Sequence, residues 1–308
     1  MDSKAATFEQ FCSKFNDESS CIQALFSARW PHGFRCPQCA FPGCYVIRTR
    51  RLPLYECRSC RAQTSLTVGT VLEGSRTPLR LWFQAIFLHA RPQAISATRL
   101  AEIIGTTYKT AWLICHKIRH AMSTDDADRL LAGIVRINCG SYGRPYNPTV
   151  FRHPQEQPLL AGASIDGSGR FTYAKIKQVP NKHLIHDRIT NGGKHHFIER
   201  HVSPEAEAVH AVILKFSRDR YRPLIELCNH AGRWINFRFN GIGPKHLQAY
   251  LDQYCFGLNH RENAADPFRY LLQCAASATV VTYPDLVSRV DDSARHKRIY
   301  KELLREAG

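Results

Sequence analysis

Two pairs of cysteines, each with the spacing Cys-x-x-Cys, are the residues of this chain that most directly predict chemistry. Cys36 and Cys39 form the first pair and Cys57 and Cys60 the second, with a short β-prone stretch between them. Two such pairs supply the four soft ligands of a tetrahedral zinc site, so the spacing predicts a zinc ribbon. A closed four-cysteine site stabilises structure and leaves no position for catalysis. The alternatives are two unrelated cysteine pairs or a redox dithiol, but the βαβ context in which redox dithiols usually occur is missing. Cys44 is a possible competitor for one of the ligand positions.

The overall composition indicates a globular and strongly basic chain. Among 308 residues, hydrophobic side chains make up 44% and charged side chains 22%, as in ordinary folded domains. Lys and Arg outnumber Asp and Glu by 42 to 26, which gives a formal net charge of +16. An excess of this size favours a polyanionic partner, most often nucleic acid, although a merely soluble basic surface would have the same composition.

The distribution of apolar residues and the number of cysteines together predict the cellular compartment of the protein. The first 20 residues are polar and of mixed charge, and no stretch approaches the roughly 20 apolar residues of a membrane span. We therefore expect a cytoplasmic protein without membrane association, and a nucleoid-associated one if it is bacterial. Twelve cysteines in a reducing compartment favour metal ligands over disulfides.

Arginines surround the predicted ribbon. They are Arg48, Arg50, Arg51, Arg58 and Arg61. They are interleaved with Tyr45 and Tyr55, whose rings would stiffen the strands or stack on bases, while guanidinium groups contact phosphates. We interpret this surface as a DNA-contacting one, with a solvated hairpin face as the alternative.

Three segments and a tail must position these residues. Residues 1–75 hold the predicted ribbon and an N-terminal helix, residues 76–125 have helical periodicity, residues 126–282 alternate β-rich runs with helices, and residues 283–308 form a charged helical tail. The acidic run at 123–128 is interpreted as a connection that enters a new helix, with Ser123, Thr124 or Asp125 as its N-cap. The fold class is therefore α+β, in several domains.

The middle segment has the pattern of a helix-turn-helix. Ser96 suits the N-cap of a helix that ends at Gly105, and a basic helix follows from residue 108 to residue 122. In that arrangement the start of the second helix faces base edges. The residues predicted to contact DNA from this helix and the turn before it are Thr106, Thr107, Lys109, Thr110, Lys117 and Arg119. A helical hairpin inside a core is the alternative.

Several runs along the chain carry a family resemblance. They are WPHGFRCPQC at 30–39, YECRSCRAQTS at 55–65, VGT at 68–70, YKTAW at 108–112 and PKHLQAYLD at 244–252. They resemble the zinc-ribbon insertion-sequence transposases of the ISXO-like group, which are related to Merlin elements. The resemblance implies a ribonuclease-H-like core in residues 126–282 with a DDE-type site, where carboxylates hold two divalent metal ions for DNA cleavage and joining. It also implies DNA as the partner, and self-association.

The acids that such a site requires are missing where the resemblance places them. The first family aspartate corresponds to Asn138, and the second to Ala211, or to Val212 if the alignment slips by one. An amide brings no charge and holds Mg2+ poorly, and an alkyl side chain cannot bind it. Asn240 and Lys245 fill the third family position and the lysine that follows it.

Three functional hypotheses follow. The leading one is a transposase-derived, zinc-dependent protein that binds duplex DNA without strand transfer, either decayed or captured for regulation, with structural zinc and no Mg2+. In the second, the chain is an active transposase that uses acids at other positions. Asp166 is one candidate, although Asp166 followed by Gly167 is first of all the pattern of a turn. In the third, the ribbon is a scaffold for protein or RNA.

Overall fold

A computed structural model describes residues 7–143, 155–185, 188–260 and 266–288 of the chain. The first part holds helices α1 (Phe8–Lys14) and α2 (Glu18–Arg29), strands β1 (Cys44–Ile47), β2 (Leu54–Cys57) and β3 (Gln63–Ser65), and helices α3 (Leu79–His89), α4 (Ala97–Ile104) and α5 (Tyr108–Ala127). The second part holds strands β4 (Ile134–Tyr142), β5 (Gln157–Ile165), β6 (Phe171–Gln178), β7 (Leu184–Ile185) and β8 (Arg188–Ile189), helix α6 (Asn191–His201), strand β9 (Ala208–Val212), and helices α7 (Arg222–Phe239), α8 (Pro244–Asn259), α9 (Pro267–Ser277) and α10 (Tyr283–Val287). Of the predicted C-terminal tail, residues 289–308 lie outside the described residues.

The N-terminal helices and the three-stranded sheet β1-β2-β3 share one hydrophobic core. Leu25 of α2, Leu66 after β3 and Phe83 of α3 are fully buried in it. Helix α9 returns from far along the chain to this core, where Phe268 packs edge-on against Phe11 at 4.7 Å between ring centroids. The segments predicted as 1–75 and 76–125 are therefore packed together as one unit, with α9 as a third contributor.

Helix α4 begins and ends, and helix α5 begins, where the local sequence predicts. The Ser96 hydroxyl accepts the Arg99 N–H at 3.3 Å, and Gly105 ends α4 in the left-handed region at φ 64°. The Thr107 hydroxyl then accepts the Thr110 N–H at 3.3 Å as the N-cap of α5. These caps satisfy backbone groups that the helices themselves leave unpaired.

Helix α5 continues past the predicted boundary at residues 125/126. The acidic run was expected to be a connection with an N-cap, and it is instead the C-terminal end of a 20-residue helix. Carboxylates are unfavourable at that end of a helix dipole, but here they are paired. Lys177 Nζ lies 2.6 Å from Asp126 and 2.7 Å from Asp252 of α8, and Tyr270 donates to Asp125 at 2.6 Å. These long-range partners explain why the local interpretation was wrong.

The second half of the chain contains a four-stranded sheet with the strand order β6-β5-β4-β9. Strand β4 is antiparallel to β5 and parallel to β9. Side chains alternate between two faces. One face, with Leu159 and Ile176, packs against α7 and α8, and the other, with Ile137, packs against Phe197 of α6. Helices on both sides thus fix the positions of β4 and β9.

Candidate zinc centre and nucleic-acid interface

The four cysteines of the two Cys-x-x-Cys pairs lie together. All four sulfur atoms are within 4.8 Å of one another. Cys36 Sγ is 3.5 Å from Cys60 Sγ, and Cys39 Sγ is 3.5 Å from Cys57 Sγ. A tetrahedral ion with zinc–sulfur bonds of about 2.3 Å separates its sulfurs by roughly 3.8 Å, so this donor set fits zinc. Four thiolates close the coordination sphere, which makes the site a structural one.

The two cysteine turns have the same backbone conformation. The Cys36 carbonyl accepts the Ala40 N–H at 2.9 Å, and the Cys57 carbonyl accepts the Arg61 N–H at 3.1 Å. Ala40 and Arg61 both lie in the left-handed region, at φ 57° and φ 59°. This conformation is unfavourable for residues other than glycine, and it is maintained here at both turns of the cluster.

The electrostatics of this cluster favour a thiolate at Cys36, whereas the pKa of Cys60 is raised to about 12. The backbone N–H of Cys39 points at the Cys36 sulfur and, as the main cause, lowers the pKa of Cys36 to about 7. Zinc binds the thiolate and not the thiol, so backbone donors prepare the ligand before metal enters. Cys44, the possible competitor, is half-buried outside the cluster, and burial raises its pKa.

The predicted arginine surface is exposed. The side chains that reach solvent are those of Arg48, Arg50, Arg51, Arg58 and Arg61. Tyr45 is 51% exposed on β1, with the Arg58 guanidinium 4.9 Å and the Arg61 guanidinium 5.8 Å from its ring centroid. Tyr55 was expected to share this surface, but it is only 4% exposed and packs against Trp30. The alternation of β2 buries it, so Tyr45 is the exposed ring of the two tyrosines.

A groove between α2 and the β1–β2 hairpin lies beside these arginines. It encloses about 600 Å³, and its lining includes Arg48, Arg50 and Arg51 together with Phe26 and Tyr55. Sequence inspection of the ribbon missed this groove because α2 supplies half of it. The spacing of apolar residues on α2 could not show which surface the helix would face.

The start of α5 is an exposed end of the predicted helix-turn-helix. Thr107 and Lys109 are exposed, while Thr106 and Thr110 are partly buried. The hydroxyls of Thr107 and Thr110 are 3.0 Å apart. The four positions therefore lie together at one helix N-terminus, where backbone N–H groups and the helix dipole favour phosphate oxygens.

Lys117 and Arg119 are corrections to the predicted DNA-contact set. Lys117 is 6% exposed and donates to the Glu73 carbonyl at 3.0 Å. Arg119 is 1% exposed, donates to Gln253 Oε1 at 2.7 Å and stacks 4.0 Å from the Tyr250 ring centroid. Both charged groups have partners inside the protein, because other elements pack against α5 along most of its length.

Asn138, the position of the first family aspartate, lies in the middle of β4 and is 1% exposed. Its partner across the parallel β4–β9 pair is Val212, whereas Ala211 pairs with Ile137 and so lies on the opposite face of the sheet. The main chain fixes the orientation of the Asn138 amide: with the orientation that satisfies both of its groups, the oxygen accepts the Tyr221 N–H at 2.8 Å and the nitrogen donates to the Ile137 carbonyl at 2.9 Å. The structure therefore places Val212, and not Ala211, beside Asn138.

Asn240 and Lys245 are not brought to Asn138. Asn240 is an exposed residue at the C-terminal end of α7, where φ is 56°. Tyr221, which contacts Asn138, lies at the other end of this 18-residue helix, about 27 Å away at 1.5 Å per residue. The Lys245 ammonium donates to the Val287 carbonyl. The expected grouping of these positions is corrected: the third position lies apart from the first two.

Comparisons with known proteins agree with this geometry. Residues 16–63 match the family model described as the transposase zinc-ribbon domain. Over 215 residues the chain is 30% identical to a protein of Halobacterium salinarum described as an uncharacterized protein in transposable element ISH50. This chain belongs to the zinc-ribbon insertion-sequence transposases. The match spans 67% of the chain and 65% of the halobacterial protein. No solved structure matches the chain.

The four-stranded sheet of the present chain lacks acidic side chains. Strands β4, β5, β6 and β9 contain no Asp or Glu. Asp166, the foremost alternative, closes the turn between β5 and β6, where its Oδ1 accepts the N–H groups of Ser168 and Arg170, each at 2.9 Å. The Ser168 hydroxyl is the main cause that lowers the pKa of Asp166. In the described ranges, the cysteine cluster is the sole group of three or more His, Cys, Asp or Glu side chains placed to hold a metal ion.

A cavity of about 540 Å³ lies beside the last residues of β4 and beyond the carboxyl end of β9. Its charged residues are Glu156, Arg188, Lys215 and Arg220. Sequence reasoning missed them because they come from separate parts of the chain and form no motif.

Helix length and hydropathy leave no candidate membrane span among the described residues.

Proposed function

We propose that this chain is a transposase-derived DNA-binding protein, stabilised by zinc, that does not catalyse strand transfer. The observation that carries the proposal is the pairing of Asn138, on the inner strand β4, with Val212, at the end of the edge strand β9, in a sheet whose strands contain no Asp or Glu. In-line displacement at a phosphodiester by two metal ions requires carboxylates that hold the ions a few ångströms apart. An amide beside an isopropyl group provides neither the charge nor the ligand atoms.

The sheet topology supports the ribonuclease-H-like core that the resemblance implies. Three antiparallel strands are followed by a helix and by a fourth strand parallel to the first of the three. In such a core the first and fourth strands carry the catalytic aspartates side by side. Asn138 and Val212 have the same relationship on β4 and β9, so their side chains would determine whether the sheet can hold catalytic metal ions.

Duplex DNA is the proposed ligand of the ribbon and of the start of α5. Exposed guanidinium groups with an exposed aromatic ring match a phosphate backbone, and the net charge of +16 adds long-range attraction. Cys36, Cys39, Cys57 and Cys60 would hold the zinc, which fixes the hairpin that carries these arginines. Lys109 and the Thr107 cap would place the N-terminus of α5 against the same or a neighbouring phosphate. Self-association and a place on the nucleoid are proposed from the family resemblance alone.

The test uses the full chain purified with zinc. Fluorescence anisotropy with a labelled duplex is recorded from low to moderate salt, and the same duplex is incubated with Mg2+ or Mn2+ to detect nicks. We expect binding whose logarithm falls linearly and steeply with the logarithm of salt, and no nicking. Metal-dependent nicking that a substitution near Asn138 abolishes would overturn the loss of catalysis. Weak binding that does not respond to salt would favour the scaffold hypothesis.

A further inference from the structure

Side chains of α8 occupy one edge of the four-stranded sheet, which is formed by β6. The Asn259 amide bonds both the N–H and the C=O of Ala174, each at 2.9 Å. The Gln248 amide bonds the Ile176 carbonyl at 3.0 Å and the Gln178 N–H at 2.7 Å. Because the outer main-chain groups of β6 have these partners, the strand cannot pair with another chain without losing them.

Strand β9 forms the other edge, and its outer main-chain groups are open. Successive residues of a strand direct their N–H and C=O groups to opposite sides, so the alternation can be followed from β6 through the registers of β5 and β4. It directs the groups of Ala208 and His210 toward β4 and those of Val209 and Ala211 outward. The Ala208 N–H agrees with this, since it donates to the Gly133 carbonyl just before β4 at 3.4 Å. Among the described residues, no hydrogen bond reaches the outward groups of Val209 and Ala211.

Strand β9 also lacks the residues by which natural proteins protect an open edge. Its sequence, AVHAV, contains no Lys, Arg, Asp, Glu or Pro. Val209 is 39% exposed, and His210 is exposed beside it. Leu214 and Phe216, in the loop after β9, are each 63% exposed. An open strand edge next to large exposed apolar side chains is typical of an interaction surface.

Charges of opposite sign lie at the two ends of β9. Glu205 and Glu207 precede the strand, Lys215 and Arg218 follow it, and all four side chains are exposed. Asp219 is the one acid of the segment 213–220, where it is outnumbered by three cations. Antiparallel pairing of two copies of β9 brings the acidic end of each strand to the basic end of the other, whereas parallel pairing places like charges together. The charge pattern therefore matches an antiparallel copy of the same strand.

We propose that two copies of this chain pair through β9, antiparallel and about a two-fold axis at His210. In this register Val209 of each copy pairs with Ala211 of the other, so the outward N–H and C=O groups of these residues bond one another. The two four-stranded sheets join into one continuous sheet, and the two-fold axis closes the assembly at a dimer. This surface deepens the self-association proposed above and rests on it, but it requires no DNA binding.

The experiment is analytical ultracentrifugation of the zinc-loaded full chain, without DNA, over a range of micromolar concentrations. We expect a monomer–dimer equilibrium. Val209→Lys should weaken the dimer about tenfold or more, because it places a cation on the pairing edge of each copy. Val280→Lys is the matched control and should leave the equilibrium unchanged, since Val280 is 38% exposed in the loop after α9.

Exchange of the flanking charges gives a second test that leaves β9 itself intact. One variant combines Glu205→Lys with Glu207→Lys, and a separate variant has Arg218→Glu. Lys215 is kept, because it pairs with Glu156 at 3.2 Å. Each variant places like charges together in the antiparallel dimer, so we expect each to weaken it about fivefold or more. An equimolar mixture of the two restores opposite charges at both ends and should recover the dimer.

Three results would overturn the assignment. They are a chain that stays monomeric at every concentration, a dimer that Val209→Lys does not weaken more than Val280→Lys, or a mixture of the charge variants that associates no better than each alone. Duplex anisotropy on the same preparations separates these results from failure of the proposed function. A monomeric chain that binds duplex would keep the proposed DNA binding and remove the dimer, and a dimer that does not bind duplex would do the reverse.

Discussion

Asn138 and Val212 are direct neighbours in the parallel pair formed by β4 and β9, and their side chains share one face of the sheet. In the ribonuclease-H-like core that we propose, a tightly held amide therefore lies where a pair of metal-binding carboxylates would have to meet. The Asn138 amide is satisfied by the Tyr221 N–H and the Ile137 carbonyl. At this position the amide is a hydrogen-bonded part of the core, which agrees with the proposed loss of catalysis.

Asn138→Asp should destabilise the fold without restoring nicking. A carboxylate keeps the acceptor for Tyr221 but loses the donor to Ile137 and places negative charge against that carbonyl. We expect the free energy of unfolding in urea to fall by about 1–3 kcal/mol, with no metal-dependent nicking of duplex DNA. Asn191→Asp is the control, because Asn191 is exposed at the first position of α6, where a carboxylate is tolerated. Equal stability of the two variants would contradict the buried amide.

Zinc binding should be lost when a ligand cysteine is replaced and retained when a nearby cysteine outside the cluster is replaced. Cys36→Ser removes a ligand, so we expect the zinc content to fall from about one ion per chain to near zero and the ribbon to unfold at lower temperature. Cys44→Ser should retain the zinc, because Cys44 lies outside the cluster. Metal content measured by plasma emission, together with thermal unfolding, checks both. Loss of zinc in Cys44→Ser alone would assign the ligands differently.

The arginine surface should set the salt dependence of DNA binding. The double variant Arg48→Ala and Arg50→Ala removes two exposed cations, so the slope of log affinity against log salt should fall by about two. Arg222→Ala removes an exposed cation on α7, which pairs with Glu226 at 2.9 Å, and should leave the slope unchanged. Anisotropy titrations at four salt concentrations give the slopes. Equal slopes for all variants would remove the ribbon from the interface.

Local signals account for what could be predicted here. The Cys-x-x-Cys spacing and the caps at Ser96 and Gly105 act within a few residues, and the structure has them as expected. Arg119 failed as a predicted contact because its partners lie more than 100 residues away, on α8. Asn240 failed because the length of α7 carries it away from Asn138. Residue type gives the chemistry, and only the packing of distant elements decides where it is used.

Arg119 should therefore behave as a structural residue. Arg119→Met leaves Gln253 without its partner and removes the stacking on Tyr250, so we expect a loss of about 2–4 kcal/mol in the free energy of unfolding. The slope of DNA binding against salt should not change. Arg99→Met is the control, because the Arg99 side chain is 67% exposed and pairs with Glu102 on the same helix. A reduced slope in Arg119→Met at unchanged stability would restore it to the DNA-contact set.

Buried histidines should make the fold sensitive to mild acid. Burial lowers the pKa of His89, His116 and His201 to about 3 in each case. In the unfolded chain these rings titrate near 6.5, so below that pH the unfolded state binds more protons than the folded state. The stability that the neutral rings contribute is complete above pH 6.5 and is lost as the pH falls toward 3. At pH 5.5 the loss amounts to about 1.4 kcal/mol for each ring.

His116→Phe isolates one of these rings. His116 packs 4.1 Å from the Trp112 ring centroid, and a phenyl group keeps that contact without a titratable nitrogen. We expect the fall in the free energy of unfolding between pH 7 and pH 5.5 to shrink by about 1 kcal/mol, since one buried ring no longer titrates. His230→Gln, at an exposed position on α7, should leave the pH profile as it is. Urea unfolding at both pH values measures the difference. An unchanged profile in His116→Phe would show that this ring is protonated equally in both states and would attribute the acid sensitivity to other groups.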